Sequence, residues 1–250
     1  MIIRNILKTT LAAAFATSVV MATAVSADGV IKLGAIAPKT GPLAGGAVVT
    51  QWPNVDLWVT QVNARGGLNV NGEKMTIELI QYDDKTNPGE HIKLAQRLAE
   101  QDKVDFVVAP YGTGFNIATA PIYGRYGYPM IAVSAITDKA EELTERYPNL
   151  FFTLGTTTAF VEGVREILIE QRAAGEIGNE VAMVNVADAF GIELADRARE
   201  MFSEAGFELV YDKSYPLGTP DLSPVMKGAK ASGAKAFVAW SYPPDSFGLA

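Results

Sequence analysis

The glycine-rich turn Gly112-Thr113-Gly114 is the stretch of this sequence best suited to holding an anion. The apolar run Val107–Ala109 leads into the turn, and a helical pattern begins after it at about Asn116. Backbone N–H groups at the start of such a helix point toward a ligand, and the helix dipole favours negative charge there. The turn therefore predicts a site for phosphate, pyrophosphate or carboxylate.

Two nucleotide-binding motifs come close to this sequence and fail. The dinucleotide fingerprint needs a third glycine where Ile117 stands, and an acidic residue where Ser134 stands. The segment Gly34–Thr40 is one residue too short for a phosphate-binding P-loop, and Pro38 removes one of the N–H donors that such a loop uses. A carboxylate is therefore the favoured anion.

Few residues of the sequence could support catalysis or bind a metal ion. His91 is the only histidine, and its neighbours Glu90 and Lys93 indicate a solvated position on a helix rather than a catalytic cleft. Asp83-Asp84 could do acid–base work or bind a cation, but such pairs are more often turn residues and helix caps. We predict no catalytic residue, no metal and no cofactor, and hence a protein that is not an enzyme.

Aromatic residues follow two predicted strands in the second half of the chain. Phe190 comes just after one strand, and Tyr242 comes just after a later one. Ligands of open α/β sheets bind at the carboxyl ends of the strands. Packing between lobes would explain each aromatic residue singly, but together they face Thr113 and Ser134 of the other half and indicate a cleft.

The elements that position these residues alternate between strands and helices, as in an α/β protein with two doubly wound, parallel-sheet lobes. Predicted strands cover 31–37, 75–82, 104–109, 130–133, 181–187, 208–213 and 236–240. Predicted helices cover 47–63, 88–101, 116–126, 159–173, 191–205 and 222–231. The rhythm breaks near residue 148, so we expect lobes at 28–148 and 149–250.

The amino terminus has the pattern of a signal peptide over residues 1–27. Arg4 and Lys8 precede the uncharged stretch Thr9–Ala24, and Val25-Ser26-Ala27 predicts cleavage after Ala27. A retained membrane anchor is disfavoured because the stretch is short and rich in alanine and threonine. We therefore expect a periplasmic protein.

Composition restricts the partners. Removing residues 1–27 takes away two of 21 basic side chains and none of the 28 acidic ones, so 19 against 28 leaves a net charge of −9. An acidic surface disfavours nucleic acid and anionic membranes. The chain has no cysteine, which excludes disulfides, thiol catalysis, thiolate metal sites and lipidation at a cysteine. We expect a monomer with a small-molecule ligand.

Several motifs carry a resemblance to a known family. IKLGAIAPKTGPLAGGA, NARGG, YDDKTNP, AQRLAEQDKVDFVVAPYGTG, YGYPMIA and VADAFG occur in this order between about Val30 and Ser246. Together they resemble the branched-chain amino-acid (Leu/Ile/Val) class of periplasmic solute-binding proteins. The resemblance implies the type I periplasmic-binding fold, with two lobes that close over a ligand, and a permease partner of the ABC importer type. It also implies a chain that lacks the carboxy-terminal part of the family's fold.

The resemblance further implies where the ligand is contacted. A hydroxyl and a backbone N–H at the glycine-rich turn would hold the ligand carboxylate, a second loop would contact the ammonium and carboxylate groups, and aromatic residues would lie opposite. The corresponding positions are Thr113 and Gly114, then Ser134, Ala135 and Thr137, and then Phe190 and Tyr242.

Departures from the family pattern leave the ligand open. Gly46 lies near a position where members carry an aromatic residue, so a wider pocket is expected, and Phe190 stands where a tyrosine is usual. The acidic residue that pairs with the ligand ammonium belongs to a later segment. An amino acid fits, and so does a larger, aromatic or carboxylate-only solute. A ligand-sensing domain of the same fold is the alternative to transport, and an exported hydrolase is disfavoured.

Overall fold

A parallel sheet built around the first strand organises the amino-terminal half of the computed structural model, which describes residues 29–250. Its strands lie in the order β2-β3-β1-β4, and only β2 runs antiparallel to its neighbour. We call this the N-terminal sheet: β1 (Gly29–Ile36), β2 (Leu68–Val70), β3 (Glu73–Tyr82) and β4 (Phe106–Val108). The predicted signal peptide and its cleavage site lie outside the described residues.

Four helices belong to this sheet: α1 (Ala44–Thr50), α2 (Trp52–Ala64), α3 (Pro88–Arg97) and α4 (Thr113–Tyr126). The single helix predicted over 47–63 is two helices that meet at Gln51, because Pro53 has no N–H to continue the hydrogen-bonding pattern across the junction. A π-helical turn, Leu98–Asp102, continues α3. It places Leu98 over β1, where a Cβ added at Gly34 would lie 2.7 Å from a Leu98 methyl group.

A small sheet follows, formed by β5 (Met130–Ala132) and β6 (Leu150–Phe152), which pair in parallel. Between them lies α5 (Ala140–Arg146), a helix in a charged stretch for which the sequence analysis predicted none. Its buried Leu143 is the main apolar anchor, too weak a pattern to predict a helix. The β5–β6 pair joins residues on both sides of residue 148, where the boundary between the lobes was expected. The division into lobes at that residue stays a prediction.

The C-terminal sheet is parallel and has the order β8-β7-β9: β7 (Glu180–Val186), β8 (Glu208–Tyr215) and β9 (Ala236–Trp240). Its helices are α6 (Thr157–Ala173), α7 (Ala189–Glu204), α8 (Ser223–Ala231) and α9 (Pro243–Gly248). The central strand β7 is buried from Val181 to Val186, as expected for a parallel strand covered on both faces. The predicted α/β class with parallel sheets is confirmed.

In three of the helices, a side chain from the preceding loop caps the amino terminus. Asn87 accepts a hydrogen bond from Glu90 N at the start of α3, and Thr156 and Asp188 do the same for α6 and α7. Each cap satisfies an N–H group that the helix itself leaves without a partner. These caps fix where each helix begins after its preceding strand or loop.

Gly191 sets the approach of α7 to β7. A Cβ at this position would collide with the Val186 carbonyl oxygen and lie 2.7 Å from Val186 Cγ1. We predict that Gly191→Ala lowers the free energy of unfolding by about 1–3 kcal/mol, because the helix must move off the strand.

The matched control is Gly163→Ala on the exposed side of α6, where an added Cβ meets no atom within 4 Å. This substitution should raise stability by roughly 0.5–1 kcal/mol through lost backbone entropy of the unfolded chain. Urea unfolding of the two variants measures both effects, and an equal response would contradict the steric role of Gly191.

Candidate functional site

A cavity of about 270 Å³ lies between the carboxyl ends of the N-terminal and C-terminal sheets. This is the region where parallel α/β sheets bind ligands. Loops that follow strands of all three sheets contribute to its wall, together with the end of α1. We call it the cleft cavity; its lining residues are Thr50, Tyr111, Val133, Ser134, Ile136, Leu154, Phe190, Ser241, Tyr242 and Pro243.

Three aromatic rings form one wall of the cleft cavity. The Tyr242 ring centre lies 5.0 Å from that of Phe190 and 6.0 Å from that of Tyr111, both in tilted arrangements. The Tyr242 hydroxyl donates a hydrogen bond of 2.8 Å to Asp188 Oδ2. Burial, followed by the nearby Asp188 carboxylate, raises the pKa of Tyr242, so this hydroxyl stays a donor at neutral pH. The Tyr242 ring of this aromatic wall is therefore anchored through its hydroxyl.

Tyr111 is a lining residue that the sequence analysis missed. Its hydroxyl lies against Gly46, where a Cβ would collide with it. The prediction of a wider pocket beside Gly46 is therefore wrong, because the Tyr111 side chain occupies that space. The sequence did contain a signal for Tyr111 as a lining residue, because it comes directly before Gly112 and follows the carboxyl end of β4.

The glycine-rich turn starts α4 three residues earlier than predicted. Gly112 has φ +94°, a conformation that suits glycine, and α4 begins at Thr113. No side chain of residues 29–250 caps this helix, in contrast to α3, α6 and α7. The first N–H groups of α4 are thus without the capping oxygen that the other three helices have.

Hydrogen bonds tie this turn to the loop after β5. Thr113 is fully buried, and its hydroxyl donates to Ile136 O at 3.3 Å while accepting from Ile136 N at 3.1 Å. Ser134 Oγ accepts from Gly112 N at 3.1 Å and donates to Pro110 O at 2.9 Å. The two predicted ligand-binding loops are therefore adjacent and interlocked.

The remaining predicted site residues lie beside the cleft cavity rather than in its wall. Gly114 is next to α7, since a Cβ there would lie 3.6 Å from Ala189 Cβ. Ala135 is fully buried, and the buried Thr137 donates its hydroxyl to the Glu193 carboxylate at 2.9–3.0 Å. Of the predicted residues, Ser134, Phe190 and Tyr242 line the cavity itself. All seven stay predictions as ligand contacts.

Glu193 on α7 joins the loop after β5 to the start of α6. Besides Thr137, its carboxylate accepts from Asp138 N at 2.7 Å and from the Thr157 hydroxyl at 3.0 Å. Nothing in the spacing of the sequence indicates this contact, because its partners lie 36 to 56 residues away along the chain.

Asp138 also connects the loop after β5 to α6 and α7, through its own carboxylate. Its carboxylate accepts from the backbone N–H and hydroxyl of Thr158, at 2.8 and 2.7 Å, and from the Arg197 guanidinium at 3.1–3.3 Å. Partial burial pushes the pKa of Asp138 upward, but the bonds from Thr158 and Arg197 outweigh it, so the pKa lies below its ordinary value. Asp138 and Glu193 together link the β5 loop to α6 and α7.

His91 is not solvated, so that prediction was wrong. It is fully buried, its Nδ1 lies 2.8 Å from the buried Asp84 Oδ2, and its ring centre is 5.1 Å from that of Phe115 on α4. The buried face of α3 continues through Ala95 and Leu98, at spacings of four and three residues. This helical periodicity was the signal that local polarity obscured.

The aspartate pair before α3 consists of turn residues, as predicted, but Asn87 caps the helix. Asp83 accepts from the backbone N–H groups of Lys39 and Lys85, each at 2.8 Å. Between Gly29 and Ala250 the chain has no group of three or more His, Cys, Asp or Glu placed to hold a metal ion. Over the same range, no helix has the length and apolar character needed to cross a bilayer.

The Asp138 contacts predict a pH dependence of stability. Because the pKa of the folded carboxyl lies below the unfolded value of about 3.9, its stabilisation is present above that pH and is lost as the pH falls through the folded pKa. Asp138→Asn should be less stable than the native chain at pH 7, and the difference should shrink between pH 4 and lower values.

The control for this prediction is Glu200→Gln, which removes an exposed partner of the same arginine. Surface pairs contribute little, so the control should track the native chain at every pH. Chemical unfolding between about pH 2.5 and 7 measures the free energy of unfolding of the three proteins. A stability difference between Asp138→Asn and the native chain that does not change with pH would contradict the lowered pKa of Asp138.

Comparison with known proteins places this geometry in context. A family model described as periplasmic binding protein matches residues 30–250. A Leu/Ile/Val-binding protein homolog 7 of Brucella suis biovar 1 is 27% identical over 241 residues, covering 93% of this chain and 57% of that protein. The chain thus spans little more than half the length of the curated relatives it matches.

Solved structures agree with this match. A solute-binding protein of an ABC transporter from R. palustris, in complex with 4-hydroxybenzoate, aligns with a TM-score of 0.71 at 26% identity, covering 88% of this chain and 56% of that one. The branched-chain amino-acid transporter substrate-binding protein LivJ of Streptococcus pneumoniae, with isoleucine, gives 0.68 at 25%, covering 84% and 56%. These homologues are periplasmic solute-binding proteins, which are not enzymes, and the expectation of a non-enzymatic chain is confirmed.

Proposed function

The chain belongs to the periplasmic binding protein family, and from this premise we propose that it is a receptor that binds a small carboxylate in the cleft cavity and delivers it to the permease of an ABC importer. The family implies an extracytoplasmic location. Export with removal of residues 1–27 and action as a monomer are parts of the same proposal.

The observation that carries the proposal is the position of the cleft cavity at the carboxyl ends of two parallel sheets. Tyr111 follows a strand of the N-terminal sheet, Ser134 and Ile136 follow a strand of the small sheet, and Phe190 and Tyr242 follow strands of the C-terminal sheet. A solute bound there would contact both halves, so its binding energy would favour the closed arrangement. This is the property that a receptor for a transporter needs.

A carboxylate is the chemistry that the nearby groups favour. The uncapped start of α4 lies against the cavity wall, because a Cβ at Gly112 would lie 3.4 Å from the Tyr242 hydroxyl oxygen. Free N–H groups and the helix dipole stabilise an anion. The Ser134 hydroxyl lines the cavity and can join them as a donor if it releases Pro110 O. In this proposal Gly114 contributes an N–H group, while Thr113, Ala135 and Thr137 shape the two loops.

A thermal-shift panel tests the proposal. Isoleucine, leucine, benzoate and 4-hydroxybenzoate are each compared with the matching primary amide, which has the same shape without the negative charge. A solute present at about 100 times its Kd stabilises the native state by about 2.7 kcal/mol. At least one carboxylate should therefore raise the Tm by several degrees, and its amide should not. If no carboxylate raises the Tm, or if the amides act equally well, the proposal is wrong.

Thr113 gives a prediction at the level of one atom. Thr113→Val removes the hydroxyl and leaves the buried N–H and C=O groups of Ile136 without their partner. We expect the affinity for the best solute of the panel, measured by calorimetry, to fall at least several-fold. Thr113→Ser keeps the hydroxyl and should stay close to the native affinity. Equal affinity for both variants would show that the hydroxyl has no part in binding.

A further inference from the structure

Resting on the proposed receptor function, we infer that Asp84 and His91 are positioning residues for the glycine-rich turn, which they hold in place without touching the solute. Both side chains are fully buried, and neither lines the cleft cavity. Asp84 lies in the loop after β3, and His91 lies near the start of α3. Two series of contacts lead from this pair to the two sides of Gly112.

The first series passes through His91 to the start of α4. His91 Nδ1 lies 2.8 Å from Asp84 Oδ2, and we assign the hydrogen of this bond to Nδ1 because a carboxylate oxygen accepts. The imidazole ring centre lies 5.1 Å from that of Phe115, in the first turn of α4. A Cβ added at Gly112 would lie 3.8 Å from Phe115 Cδ2. Asp84 Oδ2 is thereby linked to one side of the turn.

The second series passes through Thr86 to the start of α1. Asp84 Oδ1 accepts from Thr86 N at 2.8 Å, and Thr86 Oγ1 accepts from Leu43 N at 3.1 Å. Leu43 is buried directly before α1, and its Cδ1 lies 3.8 Å from the same Cβ position at Gly112. The two oxygens of Asp84 therefore lead to the two apolar side chains, Leu43 and Phe115, that lie against the glycine-rich turn.

The loop after β3 is strained in the same place. Lys85 and Thr86 have φ of +56° and +60°, in the left-handed region that residues other than glycine rarely adopt. Such residues persist where surrounding contacts enforce them, and they concentrate at functional sites. Here Asp83 Oδ1 accepts from Lys85 N and Asp84 Oδ1 accepts from Thr86 N, each at 2.8 Å. The loop thus keeps a costly conformation that presents the Thr86 hydroxyl to Leu43.

A buried polar pair suits positioning better than it suits stability. Removing polar groups from water is costly, and apolar residues of similar volume often stabilise a core equally well. The buried neighbours of His91 on its side of α3 are Ala95 and Leu98, which are apolar. Hydrogen bonds restrict distance and direction, whereas apolar contacts are non-directional. A turn that aims N–H groups at an anion needs that restriction.

NMR of the tag-free chain tests the positioning without any solute. His91 is the only histidine of the sequence, so its ring nitrogens give unique signals, and we expect a hydrogen on Nδ1. His91→Phe keeps a ring against Phe115 but removes the bond to Asp84, and it should shift the backbone amide signal of Gly112. Leu98→Val, on the same buried side of α3, is the control and should leave that signal in place. An unchanged Gly112 signal in His91→Phe would overturn the inference.

Thr86 provides a second pair of variants, which remains informative if His91→Phe does not fold. Thr86→Val keeps the branched shape and the backbone N–H but removes the hydroxyl that accepts from Leu43 N. It should shift the Gly112 amide signal, whereas Thr86→Ser keeps the hydroxyl and should restore the native signal. Equal spectra of Thr86→Val and the native chain around Gly112 would overturn the inference.

Calorimetry then tests the consequence for binding. The probe is whichever of isoleucine, leucine, benzoate and 4-hydroxybenzoate raises the Tm of the native chain most. His91→Phe and Thr86→Val should each bind it about five- to tenfold more weakly. Thr86→Ser should bind it as the native chain does, and Leu98→Val should lower the Tm without weakening binding.

The outcomes separate this inference from the receptor function. Native affinity in both His91→Phe and Thr86→Val would overturn the inference and leave the receptor function standing. If none of the four solutes binds the native chain, the receptor function is wrong, and the amide signal of Gly112 alone decides whether the pair positions the turn. Equal losses of affinity in Leu98→Val and His91→Phe would show a general effect of stability and would also overturn the inference.

Discussion

The interlock between the loops after β4 and β5 is the contact on which the candidate site depends. The Thr113 hydroxyl bonds to both backbone groups of Ile136, and the Ser134 hydroxyl bridges Pro110 and Gly112. Both hydroxyls belong to short side chains and lie after the carboxyl ends of two successive strands, where polar backbone groups would otherwise be buried without partners. The candidate site is therefore built from one hydrogen-bonded pair of loops rather than from independent ones.

A second set of contacts relates this pair of loops to the C-terminal sheet. Glu193 holds Thr137 and the Asp138 N–H group, while Asp138 holds Thr158 and Arg197. Each carboxylate accepts from hydroxyl or N–H donors across the junction, so hydrogen bonds connect the loop after β5 to the start of α6 and to α7. The position of Phe190, in the first turn of α7, is thereby linked to the position of Ser134.

The chemistry of the site follows from this geometry. Hydroxyl groups and the aromatic wall line the cleft cavity, and the uncapped start of α4 lies beside it. The only histidine is buried against Asp84 and Phe115, outside this lining. In the proposed function, this arrangement binds a solute by charge and shape. The family membership of the chain agrees with that conclusion.

The sequence alone determined the α/β class, the succession of the principal strands and helices along the chain, and the glycine-rich turn, because periodicity and turn glycines such as Gly112 act over a few neighbouring positions. The order of the short motifs along the chain was enough to indicate the family. Only the tertiary structure decided the burial of His91, the filling of the space beside Gly46 by Tyr111, and the use of Thr137 by Glu193. The physical reason is that side-chain partners across a parallel α/β fold are tens of residues apart in the chain, and local pattern carries no information about which of them meet.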